Sequence, residues 1–313
     1  GRTGTVEDGL FPSTYRVKWD IEGDPKVSIL IPNKDHTGDL EKCLHSIWTK
    51  TSWENFEVIV IENNSTDPAT FAYYETLPSR FADCRVVYYK GAFNFSAINN
   101  FGATFAEGEH LLLLNNDTEV ISPRWIEEML MYAQQDRVGC VGAKLLYPDN
   151  TIQHAGIITG LGGYAGHSHK YAKRGGSGYM FRAATVQDLS AVTAACLLVK
   201  AAVYDEAGGL DEGFAVAFND VDFCLRVRAL GYRVLFTPYA ELYHYESKSR
   251  GLDTKGPARE RFEGERRRMK RRYGESLLRD PFYNPNLTLD REDFSESDAL
   301  PKDDPVPGVP ARG

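Results

Sequence analysis

The run His110-Leu111-Leu112-Leu113-Leu114-Asn115-Asn116-Asp117-Thr118-Glu119 decides how this chain is read. Four leucines in succession carry no amphipathic alternation, which is the pattern of a strand covered on both faces. The apolar run stops abruptly at an Asn-Asn-Asp triplet. In open α/β sheets, ligands bind beyond the carboxyl ends of the strands. A buried strand over 110–114 would therefore deliver that triplet to a site. Hard divalent cations such as Mg²⁺ or Mn²⁺ take oxygen ligands, often one or two carboxylates together with substrate phosphates. Asp117 is the only carboxylate in the triplet and so the candidate metal ligand.

Outward from this run, short apolar stretches recur at 27–31, 56–61 and 85–89. Between and after them, apolar residues fall at helical spacing over 39–49, 68–77, 96–106 and 123–135, the last with proline in its first turn. Strands alternating with helices predict right-handed crossover units, and so an α/β fold with a mostly parallel central sheet and helices on both faces. The segments leaving the strands are 32–35, 62–65, 90–95 and 115–119, all polar. Asn, Asp and Ser also favour turns and helix caps, so each segment has a structural reading beside the functional one. The candidate ligand-facing residues are Pro32, Asn33, Glu62, Asn64, Asn94, Asn115 and Asn116.

The second half is less regular. Strands are expected over 138–147 and 152–159, then a loop over 160–178 with seven glycines. It has no GxxxxGK[ST] and is not a phosphate-cradling loop; it reads as a flap over a site or as a linker. Extended chain is expected over 186–199, helices over 201–207 and 219–230, and a closing strand over 234–236. The helix at 219 opens with Asp220 and Asp222. Acidic residues suit a helix N-terminus electrostatically; alternatively Asp220 projects into the site as a general base, ionised at neutral pH. Beyond the closing strand, His244 could complete a metal shell through an imidazole nitrogen, or could simply be packed between its tyrosines. Lys248 and Arg250 could hold phosphate oxygens.

At 313 residues, with 42% hydrophobic and 26% charged residues, the chain is globular and can bury a substantial core. Its formal charge of −8, from 44 acidic against 36 basic residues, argues against sequence-independent nucleic-acid binding. The five cysteines are widely spaced without a CxxC, which suggests neither a disulfide framework nor structural zinc and fits a reducing compartment. No apolar stretch is long enough to span a bilayer, and no signal peptide is recognised at the start. The Gly-Arg-Thr-Gly opening reads as an excerpt of a longer polypeptide or a processed chain. The expected organisation is a lead-in over 1–25, a main domain over 26–252, a basic helical segment over 253–280 and an acidic, proline-rich tail over 281–313, extended or disordered. Within the basic segment, residues 259–272 carry eight basic and three acidic side chains. They read as a solvated helix, or more sharply as a patch for an anionic membrane surface.

In order, VSILIPNKD (27–35), VIVIENNSTD (58–67), FNFSAINNFGA (93–103), LLLLNNDTEV (111–120), FNDVDFCLR (218–226) and YHYESKSRG (243–251) resemble family 2 inverting glycosyltransferases of GT-A fold. The variety most resembled builds bacterial cell-surface polysaccharide, notably the rhamnosyltransferases. The resemblance implies a cytoplasmic enzyme that uses a nucleotide-diphosphate sugar and Mn²⁺ or Mg²⁺. dTDP-rhamnose is the first guess for the donor, with UDP-sugars open. The implied acceptor is a growing glycan, lipid-linked at the inner face of the cell membrane, where the basic helix would make a peripheral contact. The family's Asp-x-Asp element falls on Asn115-Asn116-Asp117, with Asn in place of the first acid, so one charge is lost. The Asp-Asp-Gly-Ser element falls on Glu62-Asn63-Asn64-Ser65, which implies that Glu62 faces the nucleotide base. The base-bearing Glu-Asp pair falls on Asn219-Asp220, and the family's histidine falls on His244. Two other readings remain. A nucleotidyltransferase would want a glycine-rich segment where Pro32-Asn33-Lys34-Asp35 stands. A non-catalytic sugar-binding domain would tolerate Asn at 115 and 219.

Overall fold

The computed structural model describes residues 2–245 and 256–297. The strands are β1 Gly4–Asp8, β2 Tyr15–Trp19, β3 Val27–Asn33, β4 Phe56–Glu62, β5 Cys84–Tyr88, β6 His110–Leu114, β7 Thr118–Val120, β8 Val138–Leu146, β9 Ile152–His154, β10 Ile157–Thr159, β11 Ala165–His167, β12 Gln187–Asp188, β13 Cys196–Lys200 and β14 Arg233–His244. The helices are α1 Thr37–Lys50, α2 Pro68–Arg80, α3 Phe95–Ala103, α4 Trp125–Ala133, α5 Ala201–Glu206, α6 Asn219–Ala229 and α7 Gly256–Tyr273.

The strands and helices expected in the first half form close to their predicted bounds. In α1, Leu40, Cys43, Leu44 and Ile47 make one buried stripe at i, i+3, i+4 and i+7. Asp67 caps α2 by accepting from the Ala69 amide, with Pro68 in the first turn, and Asn94 caps α3 through the Ala97 amide. The main sheet runs β12-β14-β8-β13-β6-β3-β4-β5. Successive residues of β6 point to opposite faces. Leu112 and Leu114 pack with α1, α2 and α4, while Leu111 and Leu113 pack with α3, α5 and α6. Two cores therefore sandwich the sheet, and each fully buried Leu contributes roughly 1.5–3 kcal/mol of transfer free energy.

Four features depart from the sequence reading. The sheet is parallel through β6-β3-β4-β5 and between β8 and β14, but β13 enters antiparallel between β6 and β8. β14 spans twelve residues where a three-residue strand was expected. Pro238 reads as a strand breaker, yet it falls within the register irregularity between Phe236 and Glu241, where a proline is tolerated. Residues 1–25, expected as a lead-in, contain the β1-β2 hairpin. It is fastened by an Arg16–Glu128 ion pair and by the Tyr132 hydroxyl donating to the Val17 carbonyl. An extended tail was expected from 281 onward, but its described part folds back, burying Leu287 and Phe294 against Ile158 and Leu161.

Helix α7 is docked as well as solvated. Glu265 and Met269 are buried, Arg268 and Arg272 pair with Asp211, and Arg272 also reaches Asp222. Arg259, Arg267, Lys270 and Arg271 remain exposed on its outer side. All five cysteines are buried and unpaired. No described helix is long and apolar enough to cross a membrane.

Candidate functional site

A cavity of about 640 Å³ opens beyond the carboxyl ends of β3 and β6. Its wall includes Pro32, Asn33, Asn115, Asn116, Asp117, Asp220 and His244, so residues far apart in sequence converge on one space. The volume suits a small-molecule ligand. β13 explains part of the convergence. Its approach to β6 brings 193–195 alongside the triplet, and the Asn115 amide donates to the Ala195 carbonyl at 3.1 Å. Asp220 follows from the same placement, because its Oδ2 accepts from the Ala194 amide at 3.3 Å and its Oδ1 from the Val221 amide at 2.8 Å. Its neighbour Asp222 is fully buried and held by Arg226, Arg272 and Tyr273. Of the two acids that open α6, only Asp220 faces the cavity.

His244 reaches Asp117 through strand register. The last residues of β14 pair antiparallel with β7, Tyr243 opposite Glu119 and His244 opposite Thr118. His244 Nδ1 lies 2.6 Å from Gln153 Oε1. A carbonyl oxygen can only accept, so that contact assigns a proton to Nδ1. Nε2 then lies 3.1 Å from Asn115 Nδ2 and 3.2 Å from Asp117 Oδ1. In the neutral ring, Nε2 is a lone pair facing a carboxylate oxygen, and the two repel unless a proton or a cation lies between them. Burial pushes the Asp117 carboxyl upward, but the His244 imidazole beside it, wherever it carries a second proton, outweighs this and leaves the carboxyl below its usual value. Asp117 Oδ1 has no well-aligned hydrogen-bond donor despite its burial. An orphaned carboxylate oxygen beside an oriented imidazole fits a divalent cation. Among the described residues, no cluster of three or more His, Cys, Asp or Glu side chains gathers there, so further oxygens would have to come from a ligand.

Several expected contacts lie elsewhere. Glu62, expected at a nucleotide base, is buried; its carboxylate accepts from the Ser65 amide and hydroxyl and from the Tyr74 hydroxyl. Tyr74 in turn accepts from Asn33 Nδ2 at 2.7 Å, and Asn33 Oδ1 accepts from Asn116 Nδ2 at 2.6 Å. Glu62 thus terminates a buried relay that orients Asn116, and Asn33 is a link in it. Asn64 and Asn94 do not line the cavity: one donates to the Gly91 carbonyl, and the other caps α3 and donates to the Glu212 carbonyl. Lys248 and Arg250 lie outside the described residues.

The sequence reading missed Lys34, Asp35, His36, Phe93, Thr193 and His167 in the wall. Lys34 and Asp35 sit in the polar segment after β3, a signal that was available. Thr193 had none, because it arrives through the antiparallel β13; His167 belongs to the 160–178 stretch, for which a flap over a site was one expectation. The β10-β11 hairpin places part of that glycine-rich stretch against the cavity.

Comparison with known proteins places the chain's fold and family. The family described as glycosyltransferase like family 2 matches residues 25–274. The chain is 46% identical over 295 residues to an uncharacterised protein of Sinorhizobium fredii, covering 94% of this chain and 32% of that one. It is 39% identical over 294 residues to an O-antigen biosynthesis protein of Myxococcus xanthus, covering 90% and 22%. It thus spans about a third or less of the length of these two relatives. A shorter match, 32% identical over 62 residues and 20% of each chain, joins it to an N-acetylglucosaminyl-diphospho-decaprenol L-rhamnosyltransferase of Mycobacterium tuberculosis. Among solved structures, a Pyrobaculum calidifontis mannosyltransferase in complex with GDP-Man and Mn²⁺ superposes with TM-score 0.55 at 16% identity, covering 74% of this chain and 60% of that one. The shared fold is the GT-A type.

Proposed function

The chain belongs to glycosyltransferase family 2, and from that premise we propose that it transfers a sugar, with inversion, from a nucleotide-diphosphate donor to a hydroxyl of a growing cell-surface glycan. The observation that carries this reading is the convergence of Asp117, His244 and Asp220 on one cavity at the strand ends. The donor diphosphate would lie against Asp117 and His244, which would hold Mn²⁺ or Mg²⁺; the mannosyltransferase crystallised with Mn²⁺ supports a divalent metal. When bound, the cation neutralises charge on the leaving diphosphate. Asn115 and Asn116 would orient the donor by hydrogen bonds, supplying no charge. Asp220 would take the proton of the acceptor hydroxyl as its oxygen attacks the anomeric carbon. The bond from that carbon to the diphosphate oxygen breaks as the new one forms on the opposite face. The products are the extended glycan and a nucleoside diphosphate.

The O-antigen relative and the rhamnosyltransferase match support rhamnose as the transferred sugar and dTDP-rhamnose as the first donor to try, with UDP-sugars next. The exposed basic side of α7 supports a peripheral contact with an anionic membrane surface, where a lipid-linked acceptor would be presented. The test compares the unaltered chain with Asp220→Asn and Asp117→Ala. General-base assistance typically contributes about 10²–10⁴-fold, so Asp220→Asn should keep Mn²⁺-dependent donor binding by calorimetry and lose at least about a hundredfold in transfer. Asp117→Ala should lose the Mn²⁺-dependent part of binding. Near-normal turnover by Asp220→Asn removes Asp220 from its role. Failure of the unaltered chain to release nucleoside diphosphate from any nucleotide sugar would favour a sugar-binding domain instead.

A further inference from the structure

We propose that a second cavity, adjoining the first, is the subsite for a neutral saccharide of the acceptor, held on tyrosine platforms. This deepens the transferase reading above and rests on it. The second cavity measures about 1090 Å³ and shares Ala165, Gly166 and Phe218 with the first. Phe218 stands two residues before Asp220 and is a non-glycine residue in the left-handed region, at φ 62°. Such a conformation persists only where packing imposes it. Here the Phe218 ring stacks on Phe262 at 5.8 Å and leans on Tyr164 at 5.9 Å. The wall between the cavities therefore carries the N-terminal cap of the helix that presents the base. A ligand in the second cavity would lie across Phe218 from the cavity that holds Asp220.

The lining indicates which ligand. Tyr171 is 67% exposed and is backed by Tyr147 at 5.3 Å with planes 9° apart. Tyr179 is backed in the same way by Phe294 at 5.1 Å and 9°. A platform braced by a parallel ring is rigid, and ordering it on binding costs little side-chain entropy. Around these rings stand three basic groups, Lys170, Arg266 and Arg291, and three acidic ones, Asp290, Glu292 and Asp293. That balance gives no net attraction for phosphate, and charges interrupt the apolar surface a lipid chain would need. A pyranose ring suits both features, because its C–H face packs on an aromatic ring while its hydroxyls need donors and acceptors together. The outer wall, residues 289–294, lies beyond position 274, where the family match ends. The subsite therefore combines platforms of the common domain with a wall that lies outside the family match.

The experiment is saturation-transfer NMR on the whole chain with the methyl glycosides of rhamnose, glucose, galactose, mannose and N-acetylglucosamine, with and without dTDP and Mn²⁺. An octyl glycoside serves as a chain-binding control, and calorimetry of dTDP and of UDP with Mn²⁺ is run on the same samples. At least one glycoside should receive saturation at its ring protons. Removing one ring platform leaves the saccharide's C–H face without its partner, so Tyr171→Ala should weaken the glycoside about three- to tenfold. Tyr171→Phe should retain the effect, and nucleotide binding should be unchanged in both. No transfer to any glycoside, an unaffected Tyr171→Ala, transfer confined to the octyl chain, or displacement of the glycoside by dTDP would each overturn the subsite. If nucleotide binding persists in those cases, the transferase reading survives. If neither dTDP nor UDP binds the unaltered chain, the proposed donor assignment fails and the subsite falls with it.

Discussion

Gln153 lies 91 positions from His244 in sequence, yet its carbonyl oxygen decides which ring nitrogen of that histidine carries the proton. Partners that orient a metal-binding histidine typically contribute 10- to 100-fold in metal affinity. Gln153→Leu is therefore expected to weaken Mn²⁺-dependent nucleotide binding about tenfold by calorimetry while leaving the metal-independent part intact; unaltered affinity would show that the ring is oriented by other means. At this scale the sequence was partly readable. The place of Asp117 and Asp220 on the cavity wall was legible because an acid soon after a buried strand, or opening a helix, has few positions to take. Glu62 could not be read correctly, since its position after β4 fits a ligand contact as well as the buried relay through Tyr74 and Asn33. Which one holds depends on Tyr74, a residue of α2 that local pattern does not connect to it.

Helix α7 shows what an element can do beyond its own composition. Read as a charged run, it is a solvated helix; folded, it carries Glu265 to the loop that precedes Asp220. The two Glu265 oxygens accept from the Val216 amide at 2.8 Å and the Ala217 amide at 3.2 Å. Burial raises the pKa of Glu265, while those same amide hydrogen bonds pull it back down. Glu265→Ala would strand the buried Val216 N–H, at a cost of about 1–3 kcal/mol, free the half-buried Ala217 N–H, and loosen the segment that sets Asp220. The expected result is lower stability to urea together with a fall in kcat larger than any change in donor affinity. A stability loss with kcat intact would mean that α7 only props up the fold. Elements of the first half were legible because apolar spacing alone separates covered strands from amphipathic helices. β14 and β1-β2 were not, since a proline within a strand and a short exposed hairpin mimic loop composition.

At the scale of the whole molecule, the buried His110, His154 and His169 are held in their neutral form. Burial, assisted by neighbouring positive groups, brings His110 and His169 down to about 4 and holds His154 well below its ordinary value. A histidine whose pKa is lower folded than unfolded binds fewer protons in the native state. Its stability contribution is complete above the unfolded value near 6.5 and drains away as the pH falls toward 4. Urea unfolding should thus show a plateau above pH 7 and a steep decline from pH 6.5 to 4, with His110 alone accounting for roughly 2 kcal/mol by pH 5. Neither ring nitrogen of His110 has a hydrogen-bond partner, so His110→Phe should cost little at pH 7 and flatten that decline. An unchanged acid profile in this variant would assign the sensitivity elsewhere.

The sequence by itself determined the alternation of strands and helices, the position of the strand ends, and the acidic chemistry that Asp117 and Asp220 bring there. These follow from hydrophobic period and residue type, which act over a few neighbours. Only the tertiary structure decided that β13 enters the sheet backwards, that β14 continues past Pro238 to lay His244 against Asp117, and that Glu62 turns inward. Strand register and burial are settled by contacts between segments that lie from a dozen to more than a hundred residues apart, and no local pattern records which of the available pairings the packed core will accept.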